Sequence, residues 1–413
     1  MILVRGISQL WTLEKLFQKE GRFPEIQDAS ILENAAMLIQ HGRIAWLGLE
    51  KKLPKKWKDK KLHIKKEIHA DRGIVIPGFI ECHTHTIFAG SRAEEFEQRL
   101  QGVSYQEINA RGGGIQSTMK ATRQSLASAK STELLLKNSQ QRVDEFTRQG
   151  VTTLEIKTGY GLQATSEIKS LQLINQLQGP RILPTFLAAH SIPSGYSSAE
   201  AYLEKECIPA LKKARALCSR VDIFIENGFF SKDLARFYLQ LAKELDFEIS
   251  IHADQLSHSG GTELAMELGA LSADHVLQIT DQNIQDLAKS STTAVLLPTA
   301  DLYMRCPYPR ARVMIDSGVR VALATDFNPG SSPSQDLALV GLLARLEMKM
   351  SWFEVLSAYT VGASYALGLQ KEIGSLSVGK SADFLLLDQD PRELFYHVGQ
   401  MPLHKVFKGG RQI

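Results

Sequence analysis

Eight short apolar runs, most of them followed by a helical pattern, restrict the folds that this chain can adopt. Each run has the length and residue types of a buried strand. They end near His85, Lys157, His190, Gly228, Asp254, Leu277, Pro298 and Asp326. Clear helical patterns follow at residues 231–245 and 334–367. Eight strand-helix units in about 290 residues match a TIM (β/α)8 barrel with insertions. We therefore predict an α/β fold in which residues 76–369 form this barrel.

The segments on either side of the predicted barrel have strand patterns of their own. Residues 32–48 contain two runs joined by a turn at His41-Gly42, which favours a hairpin. Residues 374–388 again have strand character. Because both chain ends are rich in β patterns, we expect a composite β-sandwich domain made of residues 1–75 and 370–413, with the barrel inserted between them.

Four of the predicted strands end in candidate metal ligands. His83-Thr84-His85 closes the first strand, and side chains at i and i+2 of a strand point to the same face, so two imidazoles converge there. His252, His275 and Asp326 close the fifth, sixth and eighth strands. In a TIM barrel the C-terminal ends of the strands face one mouth, so these side chains should meet at one point. The pattern predicts a metalloenzyme.

Charge, cysteine content and hydropathy restrict the class of protein further. The 413 residues include 48 basic and 45 acidic ones, and the net charge of +3 is too near neutral to suggest a nucleic-acid binder. The lysine-rich stretch 51–66 is a local exception, which we interpret as a solvated loop and an edge strand. Four scattered cysteines indicate no disulfide framework and fit a reducing cytoplasm. No run approaches the roughly 18 apolar residues of a membrane span, so we expect no membrane contact.

The strand-end motifs resemble those of the amidohydrolase superfamily. Its pattern is Pro-Gly-Phe-Ile-x-x-His-Thr-His on the first strand, His on the fifth and sixth, Asp on the eighth, and Gly-Lys-x-Ala-Asp in a composite β-sandwich. The first and last motifs occur here at residues 77–85 and 379–383. Within the superfamily, the chain is most similar to the imidazolonepropionase family. The matching segments are 88–96, 111–115, 157–162, 188–190, 272–275 and 325–331, of which the first and last are the most specific.

This resemblance implies an activity and a metal. The family hydrolyses 4-imidazolone-5-propanoate to N-formimidoyl-L-glutamate in histidine breakdown, with water activated by Zn²⁺ or Fe²⁺. The implied metal ligands are His83, His85, His252 and Asp326. Many binuclear superfamily members carry a carboxylated lysine on the fourth strand, but the run 221–226 has no lysine at its end. We therefore expect one divalent ion per chain. The resemblance also implies a homodimer.

A set of substrate-binding residues follows from the same resemblance. Arg92, just beyond the first strand, can bind the propionate tail through its bidentate guanidinium. Tyr160 can hydrogen-bond the substrate while its ring packs on the imidazolone. The remaining implied contacts are Tyr105, His190, Gln255, Asn328, Gly330 and Ser331.

Gln255 raises a question about proton transfer, because some family members have a glutamate at this position. A glutamine side chain cannot act as a general base, so we interpret Gln255 as a hydrogen-bonding contact to the substrate ring. Proton transfer then falls to Asp326 or to His275, and the sequence does not choose between them.

Two other functions remain open at the level of sequence. The same metal pattern serves deaminases of guanine or cytosine, and only the motifs around Arg92, Tyr160 and Asn328 favour an acidic imidazolone. From a different class, an inactive barrel could serve as a binding or scaffold protein. Such a protein would usually have lost some metal ligands, and all of them are present here.

Overall fold

The computed structural model describes residues 1–54, 64–103, 107–108 and 111–413. In chain order the strands of this part are β1 (Ile2–Trp11), β2 (Ile31–Gln40), β3 (Arg43–Leu49), β4 (Lys66–His69), β5 (Ile74–Pro77), β6 (Phe79–Glu81), β7 (Val151–Lys157), β8 (Arg181–Ala189), β9 (Arg220–Ile225), β10 (Glu248–Ala253), β11 (Ser272–His275), β12 (Thr293–Leu296), β13 (Val321–Leu323), β14 (Phe384–Leu387), β15 (Lys405–Lys408) and β16 (Arg411–Gln412).

The α-helices of the described residues lie mostly between the strands β6 and β14. In chain order they are α1 (Glu14–Gln18), α2 (Ala93–Leu100), α3 (Ile115–Ser125), α4 (Ala129–Arg148), α5 (Ala164–Ile174), α6 (Ala199–Tyr202), α7 (Ile208–Arg215), α8 (Lys232–Glu244), α9 (Gly261–Leu268), α10 (Asp281–Lys289), α11 (Pro298–Met304), α12 (Ala311–Asp316), α13 (Leu337–Leu346), α14 (Trp352–Ser357) and α15 (Ala363–Ala366). None of these helices has the length and apolar character that crossing a bilayer requires.

The strands β6 to β13 pair in parallel and in chain order, and they are the eight strands of the predicted barrel. Their residues are almost all buried, as expected for parallel strands that are covered on both faces. Backbone hydrogen bonds close the ring just beyond its first and last strands: Asp326 N donates to His83 O over 3.1 Å, and His85 N donates to Phe327 O over 2.9 Å. The barrel therefore closes at the level of the predicted metal ligands.

The remaining strands come from both chain ends and form a second sheet. Its order is β16-β15-β14-β5-β1-β2-β3, and β4 pairs with β1. The pairing of β14 with β5 joins the two chain ends, because Phe384 lies opposite Pro77 in an antiparallel register. The predicted fold class, a TIM barrel with an appended β unit built from both termini, is thus confirmed. The predicted domain boundaries at residues 75–76 and 369–370 stay a prediction, and β5 of the terminal sheet extends to Pro77.

Local signals that were predicted from the sequence are present in the structure. The hairpin of β2 and β3 turns at His41 and Gly42, whose φ angles of 51° and 76° suit the two-residue turn of a β-hairpin. The side chain of Ser231 accepts a hydrogen bond from Leu234 N and so caps α8. Within the lysine-rich stretch, Lys66 begins β4, whereas residues 55–63 lie outside the described part of the chain.

Candidate active site

A cavity of about 830 Å³ opens at the C-terminal ends of the barrel strands. This is the end at which TIM barrels place their functional residues, and the volume is typical of a site for a small molecule. Most of the residues predicted for the site line this cavity. They are His85, Arg92, Tyr160, His190, His252, Gln255, His275, Asp326, Asn328, Gly330 and Ser331.

The predicted metal ligands converge at the floor of the cavity in two overlapping groups. One group contains His83, His85 and Asp326, and the other contains His83, His252 and His275. In each group the ligand atoms lie within 4.8 Å of one another. Oδ1 of Asp326 is 3.4 Å from Nε2 of His83 and 3.3 Å from Nε2 of His85. Strands that are distant in sequence thus bring nitrogen and oxygen donors to one place.

These residues fit a divalent metal ion. In the described part of the chain, Nε2 of His83, Nε2 of His252 and Nδ1 of His85 are buried without a hydrogen-bond partner. A buried polar atom without a partner is costly, and a bound cation would satisfy both Nε2 atoms. Imidazoles together with one carboxylate suit both zinc and iron.

Two residues of the candidate metal site, His275 and Asp326, have a left-handed backbone conformation. Adjacent residues of a strand normally point to opposite faces, yet Asp274 contacts the ring of His83 and its neighbour His275 lines the cavity. His275 has a φ of 77°, and Asp326 has a φ of 51° just after β13. Such conformations cost free energy in residues other than glycine, and they concentrate at functional sites.

Two carboxylates hold the histidine ligands from the side away from the cavity. Oδ2 of Asp274 lies 2.6 Å from Nδ1 of His83. Asp222 lies beside His252: its Oδ1 accepts a hydrogen bond from His252 N over 3.2 Å, and its Oδ2 is 3.0 Å from Nδ1 of the ring without forming a hydrogen bond. A carboxylate at Nδ1 favours the tautomer that carries its proton there, which leaves Nε2 for a metal. Burial alone would lower the pKa of His83, but the carboxylates of Asp274 and Asp326 raise it to about 9, so a metal ion that binds Nε2 must displace a proton.

An aromatic wall stands beside the ligands. The ring of His190 stacks on that of His85, with centroids 4.9 Å apart and an angle of 15° between the planes. Gly159 allows this arrangement, because a Cβ there would lie 2.8 Å from Nδ1 of His190, and its φ is 114°. Tyr160 contacts the edge of His190 at 5.5 Å between centroids. The wall presents flat faces to which a planar heterocycle can bind.

The match to known proteins covers the whole chain. Residues 74–413 match the model of the amidohydrolase family. The chain is 55% identical over 415 residues to an imidazolonepropionase of Bdellovibrio bacteriovorus, an alignment that covers 100% of this chain and 96% of that protein. It is 40% identical over 424 residues to an imidazolonepropionase of Symbiobacterium thermophilum, with 100% and 97% covered. The chain belongs to the imidazolonepropionase family of the amidohydrolases.

Solved structures of two other enzymes share the fold. An adenosine deaminase from Xanthomonas campestris with bound zinc has a TM-score of 0.69 and 18% identity, and the match covers 100% of this chain and 92% of that one. Ochratoxinase from A. niger has a TM-score of 0.70 and 18% identity, with 100% and 95% covered. At this level of identity the likeness shows the fold alone.

In this member of the imidazolonepropionase family, Arg92 lies at the cavity wall and is held by an acidic neighbour. Its Nε donates a hydrogen bond to Oε2 of Glu95 over 2.7 Å. Glu95 also accepts hydrogen bonds from Gly114 N and from the hydroxyl of Ser117. A Cβ on Gly330 would lie 2.0 Å from Nη1 of Arg92, so a side chain there would displace the guanidinium from this position.

The loop that follows β13 is organised by Asn328. Its Oδ1 accepts hydrogen bonds from the backbone N–H groups of Gly330 and Ser331, each over 2.8 Å. Its Nδ2 donates to Asp326 O over 2.7 Å. The amide of Asn328 is therefore engaged within its own loop, which gives this residue a part in shaping the cavity wall.

The remaining predicted residues also have defined surroundings, with one exception. Nε2 of Gln255 lies 3.6 Å from the sulfur of Met304 at the cavity wall. Burial lowers the pKa of His275 to about 3. Burial alone would raise the pKa of Asp326, but contacts with His83 and His85 hold it well below its usual value. Tyr105 lies outside the described residues, so its place in the substrate site stays a prediction.

Several charged residues of the site were missed by the sequence analysis. They are Glu95, Glu155, Lys157, Glu167, Asp222 and Asp274. Lys157 and Asp274 lie inside segments that match the family, yet they received no role there. A signal was available, because a charged residue within a buried apolar strand needs a partner. Glu167 lies on α5 instead, and its buried carboxylate accepts hydrogen bonds from Gly159 N, Gly161 N and Leu162 N around Tyr160.

Proposed function

We propose that this chain hydrolyses 4-imidazolone-5-propanoate to N-formimidoyl-L-glutamate in histidine breakdown. The observation that carries the proposal is the identity of 55% with an imidazolonepropionase over the full length of the chain. In the reaction, water adds to the carbonyl carbon of the ring and the C–N bond of the ring amide breaks. The carbonyl becomes the α-carboxylate of the product, and the released nitrogen remains on the formimidoyl group.

We propose that one divalent ion, Zn²⁺ or Fe²⁺, is held by His83, His85, His252 and Asp326. When bound, such an ion lowers the pKa of water from about 15.7 towards 7 and polarises a carbonyl oxygen. The convergence of these side chains and their buried Nε2 atoms support the site. The fourth barrel strand, β9, carries no lysine, which favours one ion over two.

The chain's own residues bind and orient the substrate. Nε of Arg92 already donates a hydrogen bond to Glu95, so the propionate would be bound through the two Nη groups. The rings of Tyr160 and His190 provide a flat contact for the imidazolone, and the amide of Gln255 provides a hydrogen bond to it. Arg92 and the proposed ligands His85, His252 and Asp326 line the same cavity, so one substrate could contact both.

Proton transfer is assigned to Asp326 or His275, the two candidates that line the floor of the cavity. Each can accept a proton from the attacking water and deliver it to the leaving nitrogen. Gln255 takes no part in this transfer, because an uncharged amide has no basic site.

Replacing Arg92 by lysine should weaken substrate binding selectively. Lysine keeps the positive charge but loses the planar fork, so KM for imidazolonepropionate should rise at least about tenfold, or about 1.4 kcal/mol, with metal content unchanged. Arg148→Lys is a matched control, since this exposed arginine pairs with Glu145 on α4. Steady-state kinetics of both variants give the comparison. Equal KM values in the two variants would make Arg92 a structural residue.

A substrate panel tests the proposed function itself. Purified protein loaded with zinc or iron should convert imidazolonepropionate to N-formimidoylglutamate, detected by mass spectrometry, and should leave guanine and cytosine unchanged. Turnover of guanine or cytosine without turnover of imidazolonepropionate would replace the proposal by a deaminase. Turnover of none of the three by metal-loaded protein would support the scaffold alternative.

We further propose that the protein is a homodimer in the cytoplasm. The family resemblance supports the dimer, and the four cysteines, which are all free thiols, fit a reducing compartment. Light scattering coupled to size-exclusion chromatography measures the mass directly. A mass of one chain at micromolar concentration would contradict the dimer.

A further inference from the structure

A lysine is buried inside the barrel just beneath the proposed metal ligands. Lys157 is the last residue of β7, and its side chain is 1% exposed. Its Nζ lies 3.0 Å from Oε1 of Glu155, 2.9 Å from Oδ2 of Asp222 and 3.8 Å from Oδ2 of Asp274. An ammonium group has three N–H donors, and here three carboxylates surround it. These carboxylates come from β7, β9 and β11, so the ammonium joins three strands of the barrel.

Each of the three carboxylates also holds a segment that carries metal ligands. Oδ2 of Asp274 is 2.6 Å from the ring of His83, and Oδ2 of Asp222 is 3.0 Å from the ring of His252. Oε2 of Glu155 accepts a hydrogen bond over 3.1 Å from the backbone of Thr84, which stands between His83 and His85. The ammonium group of Lys157 therefore connects the three carboxylates that hold these ligand-bearing segments.

The charge balance explains why a cation is required at this position. Three carboxylates packed together in a low-dielectric interior repel one another, and one cation reduces that repulsion. Burial alone would lower the pKa of Lys157, but Asp222, Glu155 and Asp274 raise it above its usual value, so the ammonium stays charged. Without it, the carboxylates of Glu155, Asp222 and Asp274 would repel one another and move away from the groups that they hold in place.

We propose that Lys157 is a positioning residue that sets the orientation and tautomer of the histidine ligands, by holding together the three carboxylates that support them. It acts through Asp222, Asp274 and Glu155 and touches neither metal nor substrate. The inference rests on the metal site of the proposed function but not on the identity of the substrate.

Metal affinity of Lys157→Met is the measurement that tests this inference. Methionine matches the length of lysine without its charge. Competition with a chromophoric chelator should show a Zn²⁺ dissociation constant about 10- to 100-fold higher than that of the unchanged protein, the size typical for loss of a group that supports a ligand. The visible spectrum of the Co²⁺-loaded variant should also differ, because it reports the geometry of the ligands. Neither readout uses the substrate, so a wrong substrate assignment would leave them unaffected.

Lys380→Met is the matched control. Lys380 is also buried, at 5% exposed, and its Nζ contacts Gln370 O and the hydroxyl of Ser375 near the terminal sheet. Its replacement should lower the thermal unfolding temperature without changing Zn²⁺ affinity or the Co²⁺ spectrum. A Lys157→Met protein that unfolds at lower temperature but binds Zn²⁺ with unchanged affinity and gives an unchanged spectrum would overturn the proposal, because Lys157 would then be purely structural.

A second variant decides the matter if Lys157→Met does not fold. In Lys157→Met/Glu155→Gln one of the three negative charges is removed as well, and the glutamine oxygen can still accept the hydrogen bond of Thr84. The two aspartates remain without their cation, so Zn²⁺ affinity should again fall at least about tenfold. Unchanged affinity in this double variant would equally overturn the proposal.

Discussion

His252→Ala should remove most of the bound metal and most of the activity together. His252 supplies one of the imidazoles at the cavity floor, and its Nε2 has no partner among the described residues. Without the ion, water keeps its ordinary pKa of about 15.7, so kcat/KM should fall by more than roughly 10³-fold. Elemental analysis and steady-state kinetics on the same preparation measure both quantities.

His69→Ala provides the control for this loss. His69 is an exposed histidine of β4 in the terminal sheet, where its side chain is 61% exposed and lies near Glu67. Its replacement should change neither metal content nor activity. A His252→Ala protein that keeps its full metal content would remove His252 from the ligand set.

His275→Ala should lower kcat by roughly 10² or more if His275 moves the proton, a size typical of general acid-base catalysis. Metal should stay bound in this variant, because His83, His85, His252 and Asp326 remain. Pre-steady-state or steady-state rates, measured on protein of known metal content, separate a loss of proton transfer from a loss of metal. Near-normal kcat with full metal content would eliminate His275 and leave Asp326 as the proton-transfer residue.

Two further substitutions complete this test. Asp326→Asn should also reduce kcat by roughly 10² or more. The metal content of this variant must be measured as well, because Oδ1 of Asp326 lies 3.4 Å from Nε2 of His83 and 3.3 Å from Nε2 of His85, so the substitution could also release the metal. Gln255→Glu should leave a working enzyme if Gln255 only orients the ring. A Gln255→Glu variant that gains activity while His275→Ala changes nothing would indicate that the missing carboxylate limits the reaction.

Much of the architecture could be predicted because it depends on local patterns. Every barrel strand was predicted from an apolar run, and each run contains a strand in the structure. β7 ends at Lys157 as predicted, whereas β6 ends at Glu81, so His83 and His85 lie just beyond the strand that they were predicted to close. The alternation of side chains predicted that His83 and His85 would point together. The topology of a TIM barrel then brought His252 and Asp326 to the same mouth, where both line the cavity.

The supporting contacts could not be predicted because they depend on which inward-facing residues meet across the barrel. The sequence shows Lys157, Asp222 and Asp274 on three strands. The distances from Nζ of Lys157 to Oδ2 of Asp222, 2.9 Å, and to Oδ2 of Asp274, 3.8 Å, follow from strand register and tilt. The pairing of Arg92 with Glu95 likewise depends on how α2 enters the cavity wall. Asn328 was predicted to contact substrate. Its hydrogen bonds to the backbone of Gly330 and Ser331 depend on the conformation of the loop, which the sequence does not show.

A metal titration of metal-free protein, with activity as the readout, tests the proposed metal site most directly. Zn²⁺, or Fe²⁺ under anaerobic conditions, is added in steps while hydrolysis of imidazolonepropionate is followed. We expect no activity without metal, a linear rise in activity as metal is added, and a break at about one equivalent per chain, since the proposed set of three imidazoles and one carboxylate would form a single site. A break at two equivalents, or activity that does not depend on added metal, would contradict the proposed site.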